Sequence, residues 1–528
     1  MRGCLHGGVG ASAGERCFGV RCSQRRAVRH VNHWRSAARC GAPVDRRTEP
    51  ARRTRSRLRT GGAVTVDTAT IRAVHSARQP DSPSADERCE LDEEITVRTP
   101  ASRFPVRGLA ALGAGLLTLT ACGGGLGDDD GGGGGGDDAT LTIGYVTPQS
   151  GALAPFGEAD AFVVDQMAAY FADNPLELGG TSYDVEIEVR DTQSDSVRAG
   201  EVTAELINDV GADLILAAST PDTVNPVADQ CEANGVPCIT TAAPWQPFFF
   251  GRGAEEGDSF DWTYHFFWGL EDVEAVYQDM WGQVETNKVV GALWPNDPDG
   301  NAWSADFPTA VQPNGYTIVD PGLYENGTQD FSAQISAFQA ADAQILAGVP
   351  IPPDFTTFWQ QAQQQGYTPR IATIAKALLF PSAVEAIGAS ADGLSSEVWW
   401  SPQHPFSSSL TGQSAQELAD AYEAETGRQW TQPVGIVHAL FEVAVAALTE
   451  ADSTEAQAIA DAVATLSTPT IAGDVDWTSG PVPNVAKTPL VGGQWRATEG
   501  GEHPFELVIV SNSEAPQIPT AGTVEPLN

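Results

Sequence analysis

The chain has 528 residues, of which 69 are acidic and 30 are basic, and its formal net charge at pH 7 is -39. Residues 1–96 hold 18 of the arginines, so that 58 acidic and only 9 basic residues follow residue 121. A surface this acidic repels nucleic acid and anionic lipid headgroups, which excludes both as binding partners. The 390 residues from Ala139 onward suffice for two domains of ordinary size.

Residues 1–96 are rich in arginine, contain five of the eight cysteines and show no sustained apolar periodicity. A basic arm of this kind is a candidate for nucleic-acid binding, but it lacks a motif for that function. It also precedes an export signal, described next, which works from an N-terminus. We therefore expect translation to begin near Val97, with residues 1–96 either untranslated or a disordered extension.

A secretory signal is predicted at residues 97–121. Three arginines precede the apolar run LAALGAGLLTLTA, which has the composition of a signal core and is too short for a stable bilayer span. The sequence LTAC, which ends at Cys122, resembles the bacterial lipobox and implies lipid attachment to that cysteine. An ordinary signal peptide with an incidental cysteine is the alternative. Residues 122–138 then comprise Cys122 and a linker of 16 residues, all Gly or Asp except one Leu, with a root-mean-square span of about 22 Å.

From Leu141 onward the chain alternates between short buried strands and amphipathic helices. This pattern predicts an α/β protein with mostly parallel sheets covered on both faces. The strands of the first series read LTIGYV, YDVEIEVRD, DLILAAS and PCITT. The strands of a second series read KVVGALW, YTIVD, AQILAGV, RIATIA and LSSEVWW. Three helices follow, and the chain ends in short strands.

Two cysteines follow Cys122 in the sequence. Cys231 and Cys238 are separated by six residues that include the turn Asn234-Gly235. In an exported protein, such a pair is predicted to form a disulfide, which contributes roughly 2–3 kcal/mol of stability. No histidine or third cysteine accompanies the pair, which argues against a metal-binding or catalytic role.

Several loop sequences, in this order and spacing, resemble those of the type I solute-binding proteins of ABC importers, in the branch similar to branched-chain amino-acid-binding proteins. The resemblance covers about residues 140–515. It is carried by PQSG at 148–151, DTQSD at 191–195, AST at 218–220, GVP at 235–237, TAAP at 241–244 and the helical segment 435–447.

The resemblance implies two doubly wound, Rossmann-like lobes that are joined by three crossovers and close on a solute by hinge motion. It also implies delivery of the solute to a membrane permease. The expected boundaries are 139–268 for lobe I, 269–398 for lobe II, 399–475 for the return to lobe I, and 476–528 for the closing segment of lobe II and the tail.

In open α/β sheets, ligands bind beyond the carboxyl ends of the strands, and this rule selects candidate site residues in lobe I. Ser150 follows the first strand. Ser219 and Thr220 precede a helix whose N-terminus attracts an anion, although Thr220 alone is also a suitable helix cap. The next loop offers the backbone of Ala243 and the side chain of Trp245, which either contacts the solute or packs between the lobes.

Five further candidates lie at the first crossover and in lobe II. Trp268 lies near the first crossover, and Asp299 stands where the family often has a tyrosine-glycine pair. Asp354 begins a helix as a cap or binds a solute amine. Lys376 occupies a position where amino-acid binders commonly carry an acid, and it either pairs with a solute carboxylate or bridges the lobes to an aspartate. Two tryptophans end the strand SSEVWW, and of these we select Trp400 as a contact.

These features predict a lipid-anchored, monomeric solute-binding protein at the outer face of the cytoplasmic membrane. From Ala139 onward no GxSxG, HExxH, P-loop or GxGxxG motif occurs, so no catalytic residue, metal or cofactor is expected and an extracellular enzyme is the least favoured class. The expected solute is an amino acid, an amide or a small carboxylate with an apolar or aromatic body. A binding protein that serves a membrane sensor instead of a permease stays open as the alternative.

Overall fold

Two seven-stranded sheets organise residues 139–527, the part of the chain that this computed structural model describes. The predicted export signal, Cys122 and the linker lie outside the described residues. The strands are β1 Ala139–Thr147, β2 Leu176–Leu178, β3 Thr181–Asp191, β4 Leu214–Ala218, β5 Cys238–Thr241, β6 Thr263–Phe266, β7 Val289–Leu293, β8 Thr317–Val319, β9 Ile345–Gly348, β10 Ile371–Ile374, β11 Ser395–Val398, β12 Ser467–Thr470, β13 Gly473–Asp476, β14 Val485–Ala486, β15 Val491–Ala497 and β16 Phe505–Ser511.

Twelve α-helices connect the strands within the described range. They are α1 Asp160–Asp173, α2 Ser196–Glu205, α3 Pro221–Asn234, α4 Trp245–Phe249, α5 Leu270–Gly282, α6 Pro298–Val311, α7 Ser332–Ala340, α8 Pro352–Gln364, α9 Pro381–Ile387, α10 Ala415–Thr426, α11 Pro433–Ala451 and α12 Ala456–Thr465. Many begin with an ordinary start signal: α3, α6, α8 and α9 have proline in the first turn, where the missing N–H costs nothing.

The first sheet has the order β14-β6-β5-β4-β1-β3-β2 and the second has the order β16-β15-β11-β10-β9-β7-β8. Five neighbouring pairs in the first sheet are parallel, and only β2 runs antiparallel to its neighbour. In the second sheet the strands from β8 to β11 are parallel, whereas β15 and β16 are antiparallel. The predicted α/β class with two mostly parallel, doubly wound lobes is confirmed.

The chain passes between the two sheets three times. It leaves the first sheet after β6, returns after β11, and leaves again after β14. The last passage follows Ala486, because Val485 and Ala486 pair with His265 and Phe266 in the first sheet. This corrects the boundary expected at residue 476. Lobe I therefore includes α10, α11, α12 and β14, and lobe II closes with β15 and β16.

Lys487 ties two of these passages together. Its Nζ lies 2.8 Å from Glu271 Oε1 and 2.7 Å from Asp272 Oδ1, at the start of α5. The Phe267 N–H also donates to the Ala486 carbonyl over 3.2 Å. The first and third crossovers therefore run side by side and are joined by these ion pairs.

The apolar core of lobe I is closed by helix α11. Among the described residues this helix alone is long and apolar enough to cross a membrane by length and composition, but 78% of that stretch is buried inside the protein. It packs against α1, β4, β5 and α12. An all-round apolar helix is expected at such a buried position.

Cys231 ends the buried face of α3, and Cys238 begins β5. Gly235 adopts a φ of 72°, which turns the chain back so that both thiols lie in the same apolar cluster. Burial and a hydrogen bond with Cys238 raise the pKa of the Cys231 thiol. In this structure both cysteines are free thiols, so the predicted disulfide is not formed in it. The disulfide stays a prediction.

Candidate functional site

A narrow cavity lies where loops of both lobes meet, and we call it the cleft cavity. From lobe I it is lined by Phe156, Thr220, Ala242 and Pro244, and from the first crossover by Phe267 and Trp268. From lobe II it is lined by Asp299, Trp303, Val349, Ala375, Lys376, Leu379, Glu397 and Trp399.

The topology explains this location. Every lining segment follows the carboxyl end of a strand or, for Glu397, lies near it: β1, β4, β5 and β6 in one lobe and β7, β9, β10 and β11 in the other. In each sheet the strand order reverses beside the first strand of the lobe, which leaves a crevice outside the sheet edge. The cleft cavity is thus bounded by two such crevices that face each other.

Aromatic rings form much of the cavity wall. Phe156 meets Phe380 of the opposite lobe edge to face, with ring centroids 4.9 Å apart. Phe267 meets Trp399 in the same way at 5.2 Å. These pairs join lobe I and the first crossover to lobe II. Phe156, Phe267 and Trp399 therefore both line the cavity and take part in contacts between the lobes.

Lys376 is the charged centre of the cavity. Its Nζ lies 2.7 Å from Asp299 Oδ2 and 3.0 Å from Asp297 Oδ2, and all three side chains are almost fully buried. Asp297 also caps α6, because its Oδ1 accepts a hydrogen bond from the Gly300 N–H at 2.8 Å. Two carboxylates of lobe II therefore neutralise the ammonium before any solute is considered.

The backbone at Lys376 is unusual. Its φ is 62°, in the left-handed region that residues with a side chain rarely adopt. The Ala377 N–H donates to the Ala375 carbonyl across this residue, which makes a tight three-residue turn directly after β10. The ion pairs with Asp297 and Asp299 supply a reason for such a turn to persist, since it aims the ammonium at both carboxylates.

Burial and the neighbouring polar or charged groups act on each pKa in opposite directions, and the pKa values of Lys376, Asp299 and Glu397 are all raised. Burial opposes the charge on Lys376, but attraction by Asp297, Asp299 and Asp222 outweighs burial and raises the pKa of Lys376. For Asp299, burial outweighs the attraction of Lys376 and raises the pKa of that carboxyl to about 7. Burial likewise raises the pKa of Glu397 to about 7, although Tyr277 donates to its Oε2 over 2.7 Å.

The start of α3 is the part of lobe I whose charge acts on Lys376 and its two aspartates. Thr220 occupies the cap position, but its hydroxyl bonds Asp222 Oδ2 at 3.2 Å and caps no helix N–H. Asp222 lies in the first turn of α3, where a carboxylate is favoured by the helix dipole. Burial raises its pKa, and Lys376 of lobe II lowers it. The electrostatic interaction between Lys376 and Asp222 therefore crosses between the lobes.

Four of the ten predicted ligand-binding residues line the cleft cavity. They are Thr220, Trp268, Asp299 and Lys376. The sequence left two roles open for Lys376: pairing with a solute carboxylate, or bridging the lobes to an aspartate. In the structure its ion pairs are with two aspartates of its own lobe, Asp297 and Asp299.

Three other predicted residues of lobe I lie near the cavity without lining it. Ser150 is exposed, and its hydroxyl donates to Asp191 Oδ2 at 2.6 Å. This bond holds the loop after β1 against the end of β3. Ser219 is buried, and its hydroxyl has no hydrogen-bond partner among the described residues. The carbonyl of Ala243 is engaged with His265 Nε2 at 2.7 Å.

Three predicted aromatic or acidic residues have structural partners. The Trp245 indole donates to Glu271 Oε1 at 3.2 Å, beside the first crossover. Asp354 lies in the first turn of α8 but does not cap it; its carboxylate accepts the Gly327 N–H at 2.9 Å and holds that loop. Trp400 is fully buried, 6.0 Å from the Trp430 ring.

Sequence reasoning missed ten of the fourteen lining residues, and five of those ten are aromatic or acidic: Phe156, Phe267, Trp303, Glu397 and Trp399. Phe267 and Trp399 are the sequence neighbours of the predicted residues Trp268 and Trp400. The rule that ligands bind beyond strand ends therefore located the loops correctly but did not identify which side chains line the cavity. Trp303 lies a turn beyond Asp299 on α6, at the spacing that puts two residues on one helix face.

The described residues, 139–527, contain no group of three or more His, Cys, Asp or Glu side chains arranged to hold a metal ion. The charged and aromatic groups that line the cavity are five aromatic rings, one ammonium and two carboxyl groups.

The family model described as periplasmic binding protein matches residues 140–500. The chain belongs to the type I periplasmic-binding-protein family. A search of curated proteins finds no match at the significance required.

Solved structures share the fold at low sequence identity. The leucine-binding protein LivK from Thermotoga maritima is 19% identical over 71% of this chain and 99% of its own, with a TM-score of 0.59. LivJ from Streptococcus pneumoniae, solved with isoleucine, is 16% identical over 70% and 99% of the two chains, with a TM-score of 0.55. A solute-binding protein of an ABC transporter from Rhodopseudomonas palustris BisB5, solved with 3,4-dihydroxybenzoic acid, is 14% identical over 72% and 99%, with a TM-score of 0.56.

Proposed function

We propose that this protein is the solute-binding component of an ABC-type importer, and that it captures a small solute in the cleft cavity and delivers it to membrane permease subunits. The observation that carries the proposal is the cavity itself, which is lined by strand-end loops of both lobes. A solute held there contacts both lobes at once, so binding favours the closed arrangement of a hinged pair. The family resemblance and the named solutes of the similar structures support the same role.

The proposed location is the outer face of the cytoplasmic membrane. The support is the predicted signal at residues 97–121 and the lipobox-like sequence that ends at Cys122. Lipid on this cysteine, followed by the Gly/Asp linker, keeps a monomeric domain beside its permease while leaving it free to turn. Mass spectrometry of the membrane-associated protein tests this directly: a diacylglyceryl group on an N-terminal Cys122 is expected, and an unmodified N-terminus elsewhere contradicts it.

The solute is proposed to be small and polar with an apolar or aromatic body, because aromatic rings line the cavity beside only three charged side chains. A carboxylate on the solute would find no unpaired cation in the cavity, since the ammonium of Lys376 is already paired with Asp297 and Asp299. Burial of an anion without a compensating charge is costly.

Binding by the purified domain tests the function. Residues 139–528 are screened by thermal shift against amino acids, amides, ureas and aromatic acids, and each hit is measured by calorimetry. One solute per protein is expected, and the Trp399→Leu variant, which changes a lining ring, is expected to weaken binding at least about tenfold. Trp359→Leu is the matched control, because that ring is equally buried but donates to the Ser390 carbonyl outside the cavity.

A binding protein that serves a membrane sensor is the second candidate, and the same cavity supports it. Uptake of the identified solute by cells with and without the gene separates the two. Lost uptake supports import, whereas intact uptake with a lost transcriptional response supports sensing. Chemical turnover of the bound solute by purified protein would instead favour an enzyme.

A further inference from the structure

The charges around the cleft cavity are unequal, and this bears on the solute class within the function proposed above. One ammonium, that of Lys376, pairs with the carboxylates of Asp297 and Asp299, and the charge of Asp222 also acts on it. Glu397 is a fourth acid nearby, since its Oε1 accepts the Lys376 N–H over 3.3 Å, and of the four acids only Asp299 and Glu397 line the cavity wall. Four acids around one base leave an excess of negative charge when they are ionised. A bound cation would offset that excess, whereas a bound anion would add to it.

Both places that suit an anion are already occupied by the protein's own carboxylates. Lys376 is held by Asp297 and Asp299 at 3.0 and 2.7 Å. The N-terminus of α3 holds Asp222 in its first turn, where the Thr220 hydroxyl bonds it. A solute carboxylate at either place would meet a like charge.

One buried carboxylate oxygen is unpartnered. Asp299 is 1% exposed and lines the cavity, and its Oδ1 has no hydrogen-bond partner within residues 139–527. A buried acceptor without a partner carries a desolvation penalty, and a carboxylate bonds a charged donor most strongly. An ammonium group on the solute, placed against Asp299 Oδ1, satisfies this oxygen.

The rest of the wall suits the same solute. Five aromatic rings line the cavity, and the faces of such rings attract cations. The indole N–H groups of Trp268, Trp303 and Trp399 have no acceptor in the described part of the chain. They are neutral donors, so they fit a neutral acceptor such as a carbonyl or hydroxyl oxygen.

We propose that the solute is a compact organic cation: an amine that also carries a neutral carbonyl or hydroxyl group and has no free carboxylate. Asp299 is its specificity-determining residue and binds the ammonium through Oδ1. The indole N–H groups bind the neutral oxygen, and the rings surround the alkylated part.

Four probes with one isobutyl body test the proposal by calorimetry at about pH 7, where most α-amino groups are protonated. They are leucinamide, leucine, 4-methylpentanamide and 4-methylpentanoate, which differ in whether they carry the ammonium and whether they carry the carboxylate. Leucinamide is expected to bind at least about tenfold more tightly than each of the others, as one charge-assisted hydrogen bond implies. Equal or tighter binding of leucine or of 4-methylpentanoate overturns the inference and leaves the proposed function intact. Binding of none of the four also overturns it, and the wider screen then decides the proposed function.

Two variants assign the effect to the named carboxylates. Asp299→Asn keeps the side-chain volume and is expected to remove the preference for leucinamide over 4-methylpentanamide. Asp354→Asn is the matched control, because it changes a buried acid of lobe II that binds the Gly327 N–H outside the cavity. If Asp299→Asn does not fold, Asp222→Asn at the half-buried start of α3 is measured instead, with an expected loss of at least about threefold in the same ratio. An unchanged ratio in the folded variant overturns the assignment.

Discussion

Replacement of Lys376 by methionine removes the one positive charge inside the cleft cavity while nearly preserving side-chain volume. Asp297 and Asp299 then lose their partner, although they stay buried. We expect the variant to be less stable than the wild type by about 3–5 kcal/mol, which is the usual cost of leaving a buried charge unpaired.

The geometry sets this magnitude. At 2.7 and 3.0 Å, each pair is worth roughly 5–6 kcal/mol of attraction at an effective dielectric constant of about 20. Much of that attraction offsets the cost of burying the ions, and proton uptake relieves part of the rest. The pKa of Asp299 is already raised to about 7 by burial, so the variant can protonate this group in mild acid. The loss of stability is therefore expected to be larger at about pH 8 than at about pH 5.

Urea unfolding of residues 139–528, followed by tryptophan fluorescence, measures the free energy of unfolding. Lys288→Met is the control, because this exposed lysine bonds only the Asn314 carbonyl and stacks on the Tyr316 ring. The double variant Lys376→Met/Asp299→Asn is expected to recover part of the lost stability. If Lys376→Met costs no more than Lys288→Met at about pH 8, the assignment of Lys376 as the compensating charge is wrong.

Three further predictions concern separate parts of the chain. Burial raises the pKa of Asp160 to about 7, so the folded state holds a proton that the unfolded chain releases between about pH 4 and pH 7; the free energy of unfolding should fall as pH rises through that window, and the Asp160→Asn variant should show a shallower fall in urea titrations at several pH values. Mild oxidation should join Cys231 and Cys238 without unfolding, and thiol titration under denaturing conditions should then find two fewer thiols; two reactive thiols after oxidation would contradict this. Trp400→Phe should lower stability by about 1–3 kcal/mol and leave solute affinity within about threefold, whereas Trp399→Phe should lower affinity more than stability.

The strand pattern predicted the fold because buried parallel strands have a clear composition. All five residues of β4 are buried, and so are the inward residues of β1. The pattern failed at β14, since a strand of two residues, Val485 and Ala486, has no period to detect. For that reason the lobe I return was expected to end at residue 475, whereas it extends to Ala486.

The candidate site was predictable only to the level of strand ends. The SSEVWW sequence marks the end of β11, but it does not say which tryptophan faces the cavity. Trp400 faces away because it packs closely on α11, where a Cβ at Gly435 would lie 2.2 Å from its ring. Trp399 then turns towards the cavity. The partners of Lys376 were also hidden, because Asp297 is distant in sequence and lies after a different strand.

Helix α11 also constrains the order in which the chain can fold as it emerges. It covers β4 and β5, yet it follows all of lobe II except the closing strands in sequence. The first sheet therefore keeps part of one apolar face uncovered until Pro433–Ala451 has been made, and its edge partner β14 comes later still. Lobe I is first in sequence but cannot be completed first, and a nascent chain held at residue 430 should expose apolar surface and depend on chaperones.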